Sequence, residues 1–478
     1  PAVGLPAPSD EPAAAGAGEG AQGALDLARA RLDDGDPAAA LPALDDALRR
    51  GPPDAALHAL RARARLLAGD RAGAADDAAR ALELDPQHAP AFALRGAMRL
   101  SSGDARGALA DAERAIALAP EGAAAYEVRA AARLNLGDLT GAIADCDRAL
   151  ERSPQRAQAL AIRALARLNL GDDAGAVRDA DLALALDPRE AIAYRARGGA
   201  RVNLGEPARA IADCDRALEL DPGCAVALAN RGSARLDLGD LAGGLGDLDR
   251  ALELDPRDAF AYRIRAHGRG RAGDVQGALD DFGRSIQRVA TTEAHAGRGA
   301  LKLNTGDPAG ALADLDRALE LDPRNAHALA ARAGARLSLG DPAAAVADAD
   351  RALELDPRQA LAYANRAAAR VNLRDARGAV ADADRALALD PGHTFAYVVR
   401  GSARANLGDL PAASADLDRA VELNPDDPLA RLTRGDVRRA RGDLGGALED
   451  WEAALRLQPR AAWADEVRER VARIQKGE

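Results

Sequence analysis

The chain has 478 residues and a formal net charge of −11, with 75 acidic and 64 basic side chains. This balance argues against the positively charged surface that a nucleic-acid-binding protein needs, and no apolar run reaches the roughly 18 residues of a membrane-spanning helix. Apolar residues make up 48 % of the chain but aromatic residues only 2 %, which predicts a core of Ala, Leu and Val.

The first twenty residues differ from the rest of the sequence. Residues 1–20 are rich in Ala, Pro and Gly and lack a periodic apolar face, which predicts a disordered linker. They have no basic start and no long apolar segment, so the segment as it stands is not a secretion signal. Because the chain begins with Pro1 rather than Met, we expect a fragment or a processed form with another region ahead of the linker.

From residue 21 onward, a motif similar to RALELDP recurs every 34 residues. A period of this length predicts a stack of similar helical units rather than several globular domains. We divide residues 21–461 into thirteen units, of which 259–291 has 33 residues because Ala290 stands where a proline is due. The prolines that mark the other twelve units are Pro52, Pro86, Pro120, Pro154, Pro188, Pro222, Pro256, Pro323, Pro357, Pro391, Pro425 and Pro459.

The unit 326–359 illustrates how each repeat is expected to fold. Small and apolar residues recur at helical spacing on both sides of Gly340, and glycine tolerates the left-handed conformation that ends a helix. Asp341 suits the N-cap of a second helix and Pro342 its first turn. That helix ends before Pro357, because the residue preceding a proline avoids the helical conformation. Each unit is therefore predicted to be two antiparallel helices of about 12 to 15 residues.

The pattern changes in two places. The unit 259–291 contains additional glycines and Phe282, and it lacks the Asp-Pro pair; a hinge, a specialised contact or simple drift of the repeat would each explain this. Residues 462–478 are polar but place Val467, Val471 and Ile474 on one side of a helix. This segment is predicted to be a helix that caps the end of the stack.

Charged residues form columns when each unit is numbered with its marker proline at position 32. Positions 7 and 11 are Arg in nearly every unit, and position 23 is Asp from the second unit onward. The arginines would suit an anion-binding stripe, but at about 100° per residue they lie on the side of the first helix opposite positions 2, 5, 9, 12 and 13, and the family resemblance described below implies that this side faces the second helix. We therefore predict Arg–Asp pairs that join the two helices, and adjacent units as well. The Asp-Arg pairs at positions 25 and 26, such as Asp350-Arg351, are predicted to be solvated surface.

The repeat resembles the tetratricopeptide repeat (TPR) family. Position 4 is a large apolar residue such as Tyr363, position 8 is small, as at Gly435, positions 20 and 27 are Ala in nearly all units, and position 32 is Pro. The resemblance implies an all-α fold, a right-handed α-solenoid of antiparallel helix pairs. The sequence departs from the family at positions 11 and 24, where the usual aromatic residues are mostly replaced by Arg and by Ala, Leu or Cys.

The resemblance also implies a concave surface built from positions 2, 5, 9, 12 and 13. Small residues at position 9 leave room there, and Asn amides both donate and accept hydrogen bonds, which suits a peptide or protein partner. Alternatively, each Asn only bonds the end of its own helix. The predicted partner-binding residues are the amides Asn135, Asn169, Asn203, Asn304, Asn372 and Asn406 and the aliphatic side chains Leu134, Leu168, Val202, Leu236, Leu303, Leu337 and Val371.

The sequence contains no recognisable catalytic or metal-binding motif. The six histidines are scattered, without the spacing of a zinc site, and the Gly-Asp turns are not followed by the Gly-Lys-Ser/Thr of a phosphate-binding loop. Cys146 and Cys214 lie two units apart, too far for a disulfide. We expect no catalytic residue, no cofactor and no metal.

These observations predict a non-enzymatic scaffold that binds peptide or protein partners, with no nucleic acid and no membrane insertion. Two alternatives remain open: a regulatory or substrate-selecting region of a larger enzyme, such as a bacterial serine/threonine kinase, and a periplasmic assembly factor. Composition rich in Ala, Arg, Gly and Pro is typical of a GC-rich bacterial genome. The expected location is the cytoplasm, or the periplasm if a signal was removed before Pro1.

Overall fold

The computed structural model describes residues 19–461 and 463–476, so residues 1–18 of the predicted linker lie outside the described residues. The described residues form 27 α-helices and no β-strand. Odd-numbered helices from α1 to α25 are the first helices of the repeats: α1 (Glu19–Asp33), α3 (Ala55–Leu67), α5 (Ala89–Ser101), α7 (Ala123–Asn135), α9 (Ala157–Asn169), α11 (Ala191–Asn203), α13 (Ala225–Asp237), α15 (Ala259–Arg271), α17 (Thr292–Asn304), α19 (Ala326–Ser338), α21 (Ala360–Asn372), α23 (Thr394–Asn406) and α25 (Pro428–Ala440).

The second helices have the even numbers, and one more helix follows them. They are α2 (Pro37–Arg50), α4 (Arg71–Leu84), α6 (Ala105–Leu118), α8 (Leu139–Arg152), α10 (Asp173–Leu186), α12 (Pro207–Leu220), α14 (Leu241–Leu254), α16 (Val275–Arg288), α18 (Pro308–Leu321), α20 (Pro342–Leu355), α22 (Ala376–Leu389), α24 (Leu410–Leu423), α26 (Leu444–Leu457) and finally α27 (Ala464–Gln475). Each first helix packs on the second helix that follows it. The prediction of an all-α solenoid of helix pairs is confirmed.

The turn within each repeat forms as its local sequence predicts. In the unit 326–359, Gly340 has a φ of 84°, and the Asp341 carboxylate accepts a hydrogen bond from the backbone N–H of Ala344 at 3.0 Å. This bond satisfies one of the N–H groups that a helix start leaves without a partner. Among the described turns of this kind, glycine occupies the left-handed position with φ between 71° and 89° in all but one, where Arg374 has a φ of 63°.

Small aliphatic side chains fill the space between the helices. Ala328, Ala345 and Ala349 are fully buried, as are the leucines Leu315 and Leu329. Alanine lets the helices approach closely, and the larger leucines add to the apolar area that is removed from water. The prediction of a core of small aliphatic residues is confirmed.

The chain divides into two compact units, which meet in sequence between Pro256 and Arg257. The boundary lies directly ahead of α15, the first helix of the irregular repeat 259–291. In the second unit, α27 packs on α26 and places Val467 and Val471 against the fully buried Trp451. Over the residues described, no helix has the length and apolarity needed to cross a membrane.

Candidate partner-binding surface

The first helices of successive repeats form a packed row within each compact unit. In the first unit, each first helix from α1 to α11 contacts the next first helix, so that the row ends at α13. The same holds from α15 to α25 in the second unit. Among the described helices, no two second helices pack on each other to a comparable degree. Side chains near the C-terminal ends of the first helices therefore lie side by side. We call the surface formed by positions 12 to 14 of the repeats the first-helix surface.

The six predicted asparagines lie on this surface, each as the last residue of its helix. All six are exposed. Asn203 donates from Nδ2 to the Asp173 carboxylate of the preceding repeat at 2.9 Å; within the described part of the chain, the other five side chains form no hydrogen bond. By contrast, Ser338, at the same position of its own repeat, bonds its helix by donating to the Gly334 carbonyl at 3.0 Å. The asparagine amides are thus accessible to a partner.

The aliphatic residues that precede these positions are less accessible. Six of the seven are half-buried, whereas Leu236 is only 4 % exposed. A Cβ placed on Gly199 would lie 2.9 Å from Cδ2 of Leu168, and one on Gly334 would lie 3.2 Å from Cδ2 of Leu303. Part of the aliphatic row therefore packs one repeat on the next, and Leu236 offers a partner almost no surface.

Small residues at position 9 also have a packing role that the sequence did not reveal. Asn365 is buried and donates from Nδ2 to the Ala330 carbonyl of the preceding repeat at 2.9 Å. A Cβ on Gly334 would lie 3.1 Å from that same Nδ2 atom, and Gly199 has the same relation to Asn230. Glycine at these two places gives a buried amide room to join two repeats.

The arginine and aspartate columns form a ladder of ion pairs. In the unit 326–359, Arg332 donates from Nε and Nη2 to the two carboxylate oxygens of Asp348 at 2.8 and 2.7 Å. Arg336 Nη1 lies 2.8 Å from the same carboxylate. Asp348 is buried, and its hydrogen bonds raise the pKa of Arg332 despite the burial of that guanidinium. The predicted Arg–Asp pairs between the two helices are present in the structure.

The ladder also joins successive repeats, through the aspartates at position 25. Arg332 Nη1 donates to Asp316 of the preceding repeat at 2.7 Å, and Arg366 Nη1 donates to Asp350 at 2.6 Å. The prediction that position 25 is merely solvated surface was therefore incomplete: these carboxylates are about half exposed, but they bind an arginine of the next repeat. Because the ladder arginines already bind aspartates of their own or the preceding repeat, they do not form a free anion-binding stripe.

A buried ion pair on the first-helix row escaped the sequence analysis. Arg156 donates from Nε and Nη2 to the two carboxylate oxygens of Glu127, both at 2.6 Å. The two side chains are 2 % and 3 % exposed. Glu127 stands at position 5 and Arg156 at position 34 of the same repeat. Neither neighbouring repeat has this combination, so the pair does not recur along the sequence and could not be recognised from the repeat pattern.

Exposed leucines form a second feature that sequence reasoning missed. They stand at position 14, directly before the left-handed turn residue, and they are 44 % to 56 % exposed. Five of the seven follow one of the predicted asparagines, and five begin a Leu-Gly-Asp motif at the end of the first helix, which is their signal in the sequence. They are Leu136, Leu170, Leu204 and Leu238 in the first unit and Leu339, Leu373 and Leu407 in the second.

The irregular repeat 259–291 has compensating contacts. Phe282 is buried and meets His267 edge-on, with ring centres 5.0 Å apart. A Cβ on Gly297 would lie 2.7 Å from the Phe282 ring, so glycine there makes room for the larger side chain. Ser285 donates to the Ala259 carbonyl at 2.8 Å and ties the two helices together.

The described residues contain no group of three or more His, Cys, Asp or Glu side chains placed to hold a metal ion. The three cysteines are free thiols: Cys146 and Cys214 are buried, and Cys224 is half-buried. Burial raises the pKa of the Cys214 thiol to about 12, so it is protonated at neutral pH and a poor nucleophile.

A family model described as "Tetratricopeptide repeat" matches residues 25–89, 99–157, 163–225, 296–360 and 364–428, which together are more than half of the chain. No curated protein matches the sequence.

Solved structures with the same architecture include the APC/C hetero-tetramer Cut9–Hcn1. It is 15 % identical, with a TM-score of 0.56, over 88 % of this chain and 96 % of that chain. Yeast Tom70 is 17 % identical, with a TM-score of 0.35, and the match covers 82 % of this chain and 96 % of Tom70. The thermophilic TPR protein TTC0263 from Thermus thermophilus is 25 % identical, with a TM-score of 0.34, and the match covers 38 % of this chain and 97 % of TTC0263. The similarity to Cut9–Hcn1 supports the fold alone.

Proposed function

Since the chain belongs to the tetratricopeptide repeat family, we propose that it is a non-enzymatic scaffold. It binds a peptide or protein partner on the first-helix surface, which is the concave surface in this family. TPR proteins typically mediate protein interactions, and the proposal assigns that role here to the ends of the first helices.

One observation carries the proposal: polar amides recur, exposed, at the same place on successive first helices. Asn372 and Asn406 end adjacent first helices of the second unit, and Asn135, Asn169 and Asn203 end three successive first helices of the first. An amide both donates and accepts, so a row of amides can bind the N–H and C=O groups of a peptide backbone with little dependence on its side chains.

Apolar contact is available beside the amides. The position-12 aliphatic side chains are half-buried, and the position-14 leucines are about half exposed. Together they place an aliphatic side chain on both sides, in sequence, of four of the six amides: Asn135, Asn169, Asn203 and Asn372. Aliphatic contact adds binding free energy in proportion to the apolar area removed from water, while the amides set the position of the partner.

The ladder is a poor alternative site for the same partner. Its position-23 aspartates are buried, and its arginines already bind carboxylates of their own or the preceding repeat. A partner that used these arginines would have to break buried ion pairs, which is costly.

The experiment begins with a selection of peptides from a phage-displayed random library on the full chain. Affinities of selected peptides are then measured by fluorescence anisotropy for a variant with Asn304, Asn372 and Asn406 all replaced by Ala. We expect at least a tenfold loss, because each buried hydrogen bond to a partner contributes about 1 kcal/mol.

The matched control replaces three exposed residues of the second helices, Glu320, Glu354 and Arg385, with Ala. These lie away from the first-helix surface, so the control variant should bind the peptides as the unchanged chain does. Selected peptides that bind the asparagine variant at full strength, or that lose affinity only for the control variant, would contradict the proposal.

A further inference from the structure

A cavity of about 640 Å³ opens at the turn between α21 and α22. Its lining combines Val371, Arg374 and Arg377 with Asn406 and Leu407 from the end of the next first helix. Val371 and Asn406 belong to the predicted partner-binding set. The cavity therefore joins the first-helix surface to the turn of one repeat.

Arg374 is the distinctive residue of this cavity. It has a φ of 63° at a position that is glycine in every other described turn of the same kind. A side chain in the left-handed region costs backbone energy that glycine avoids. Residues held in such conformations occur preferentially where the side chain has a function.

The cavity is rich in side chains that can donate hydrogen bonds. Within the described structure, the guanidinium groups of Arg374 and Arg377 have no ion pair, and the Asn406 amide has no hydrogen bond. Asp375 also lines the cavity, but its carboxylate is already engaged: it accepts from the Gly378 N–H at 2.9 Å and lies 3.7 Å from Arg370 Nε. The two arginines outnumber this one carboxylate, so the lining carries a net positive formal charge in a chain with a net charge of −11.

Apolar surface lies beside these donors. Leu407 is 49 % exposed, and Val371 is half-buried. A ligand that satisfies the whole lining must carry a negative group for the arginines, a backbone or similar polar group for the amide, and an aliphatic side chain for Leu407 and Val371.

We propose that this cavity binds an acidic peptide segment, with a carboxylate between Arg374 and Arg377 and an adjacent aliphatic side chain on Leu407. Guanidinium groups pair with carboxylates through charge-assisted hydrogen bonds, which is the complementarity that selects the occupant. The inference rests on the proposed function, because it names the chemistry of the partner at one part of the first-helix surface.

The test uses a fluorescein-labelled peptide of four Leu-Asp repeats and an otherwise identical peptide of four Leu-Asn repeats, both amidated at the C-terminus. Fluorescence anisotropy on the full chain should show that the Leu-Asp peptide binds at least tenfold more tightly. Its affinity should fall as the salt concentration rises, because salt screens exposed charge pairs. A Leu-Asp peptide with a free C-terminal carboxylate tests the source of the anionic group. Equal affinity would support a side-chain carboxylate as the group bound by the arginines, and a gain in affinity would contradict it in favour of a chain terminus.

Two variants locate the binding. Arg374→Gly together with Arg377→Ala should weaken Leu-Asp binding about tenfold, while the melting temperature stays the same or rises, since glycine is favoured at this φ. Arg385→Ala removes an exposed arginine of α22 that does not line the cavity, so it should leave the affinity unchanged.

Three results would overturn the inference: no binding of the Leu-Asp peptide, equal binding of the Leu-Asp and Leu-Asn peptides, or an unchanged affinity in the double arginine variant. If peptides from the phage library still depend on Asn304, Asn372 and Asn406, the proposed function stands although this inference fails. If those peptides are also insensitive to the asparagines, both fail.

Discussion

Asp348→Ala removes the central carboxylate of one step of the ladder. Asp348 accepts from two nitrogens of Arg332 and pairs with Arg336, with all three separations between 2.7 and 2.8 Å. The substitution leaves two guanidinium groups without this partner in the space between α19 and α20. We expect it to destabilise this repeat far more than the loss of one surface charge would.

The magnitude follows from burial. The Asp348 side chain is 3 % exposed, and those of Arg332 and Arg336 are 13 % and 26 % exposed. Removing one partner of a buried ion pair costs about 3–5 kcal/mol. Because the arginines keep some access to water, and Arg332 keeps Asp316 as a partner, we expect the lower end of this range, about 3 kcal/mol.

Hydrogen–deuterium exchange with mass spectrometry is the suitable assay, because repeat arrays unfold locally and a single unfolding free energy does not describe them. A loss of about 3 kcal/mol corresponds to exchange about 100-fold faster for amides of α19 and α20. The matched control is Asp350→Ala, two residues along the same helix. That carboxylate is 47 % exposed and, among the residues that the structure describes, pairs with Arg366 alone, so we expect a loss of at most about 1 kcal/mol. Equal exchange rates in the two variants would refute the conclusion that the buried column stabilises the repeat.

Four further predictions concern other parts of the molecule. Arg156→Ala removes the guanidinium that forms two hydrogen bonds with the buried Glu127 carboxylate, so thermal melting and local exchange should show a loss of about 3 kcal/mol; an unchanged stability would contradict a stabilising role of the buried pair. Gly334→Ala crowds a buried amide and a leucine, which should cost about 1 kcal/mol and accelerate exchange at the contact between repeats. Arg374→Gly alone should stabilise its turn by about 1 kcal/mol, measured as a higher melting temperature; a lower one would show that the left-handed residue is not strained. Burial would raise the pKa of Asp77, but hydrogen bonds from its arginine and histidine partners hold that pKa below its ordinary value of 3.8. Its stabilising contribution should therefore be complete above about pH 4 and lost as the pH falls through the lower pKa of the folded state, and urea unfolding of the Asp77→Asn variant should lack that loss.

Local features of the sequence predicted the helix boundaries well. Gly340, Asp341 and Pro357 each act within one or two residues of their own position, so the structure places the helix ends where these residues stand. The Arg–Asp pairs between two helices of a repeat were also predictable, because helical periodicity places the arginines opposite the positions that the family resemblance assigns to the concave surface, on the side that faces the second helix.

Features that depend on how one repeat stacks on the next were not predictable in the same way. Arg–Asp pairs between adjacent units were expected, but the position-25 partner, as in the bond from Arg366 to Asp350, was not. That partner and the amide of Asn365 next to Gly334 depend on the separation between repeats, which no spacing within one unit contains. The cavity beside Arg374 depends on the backbone conformation of one turn and on the approach of the next helix. In the sequence it is visible only as one arginine where glycine is usual.

Site-specific photo-cross-linking tests partner binding on the first-helix surface most directly. A photoreactive amino acid replaces Asn372 in one sample and the exposed Glu354 of the second helix α20 in another, and each is irradiated with a selected peptide. We predict efficient cross-linking from position 372 and only background from position 354. Equal yields, or cross-linking from position 354 alone, would contradict the assignment of the binding surface.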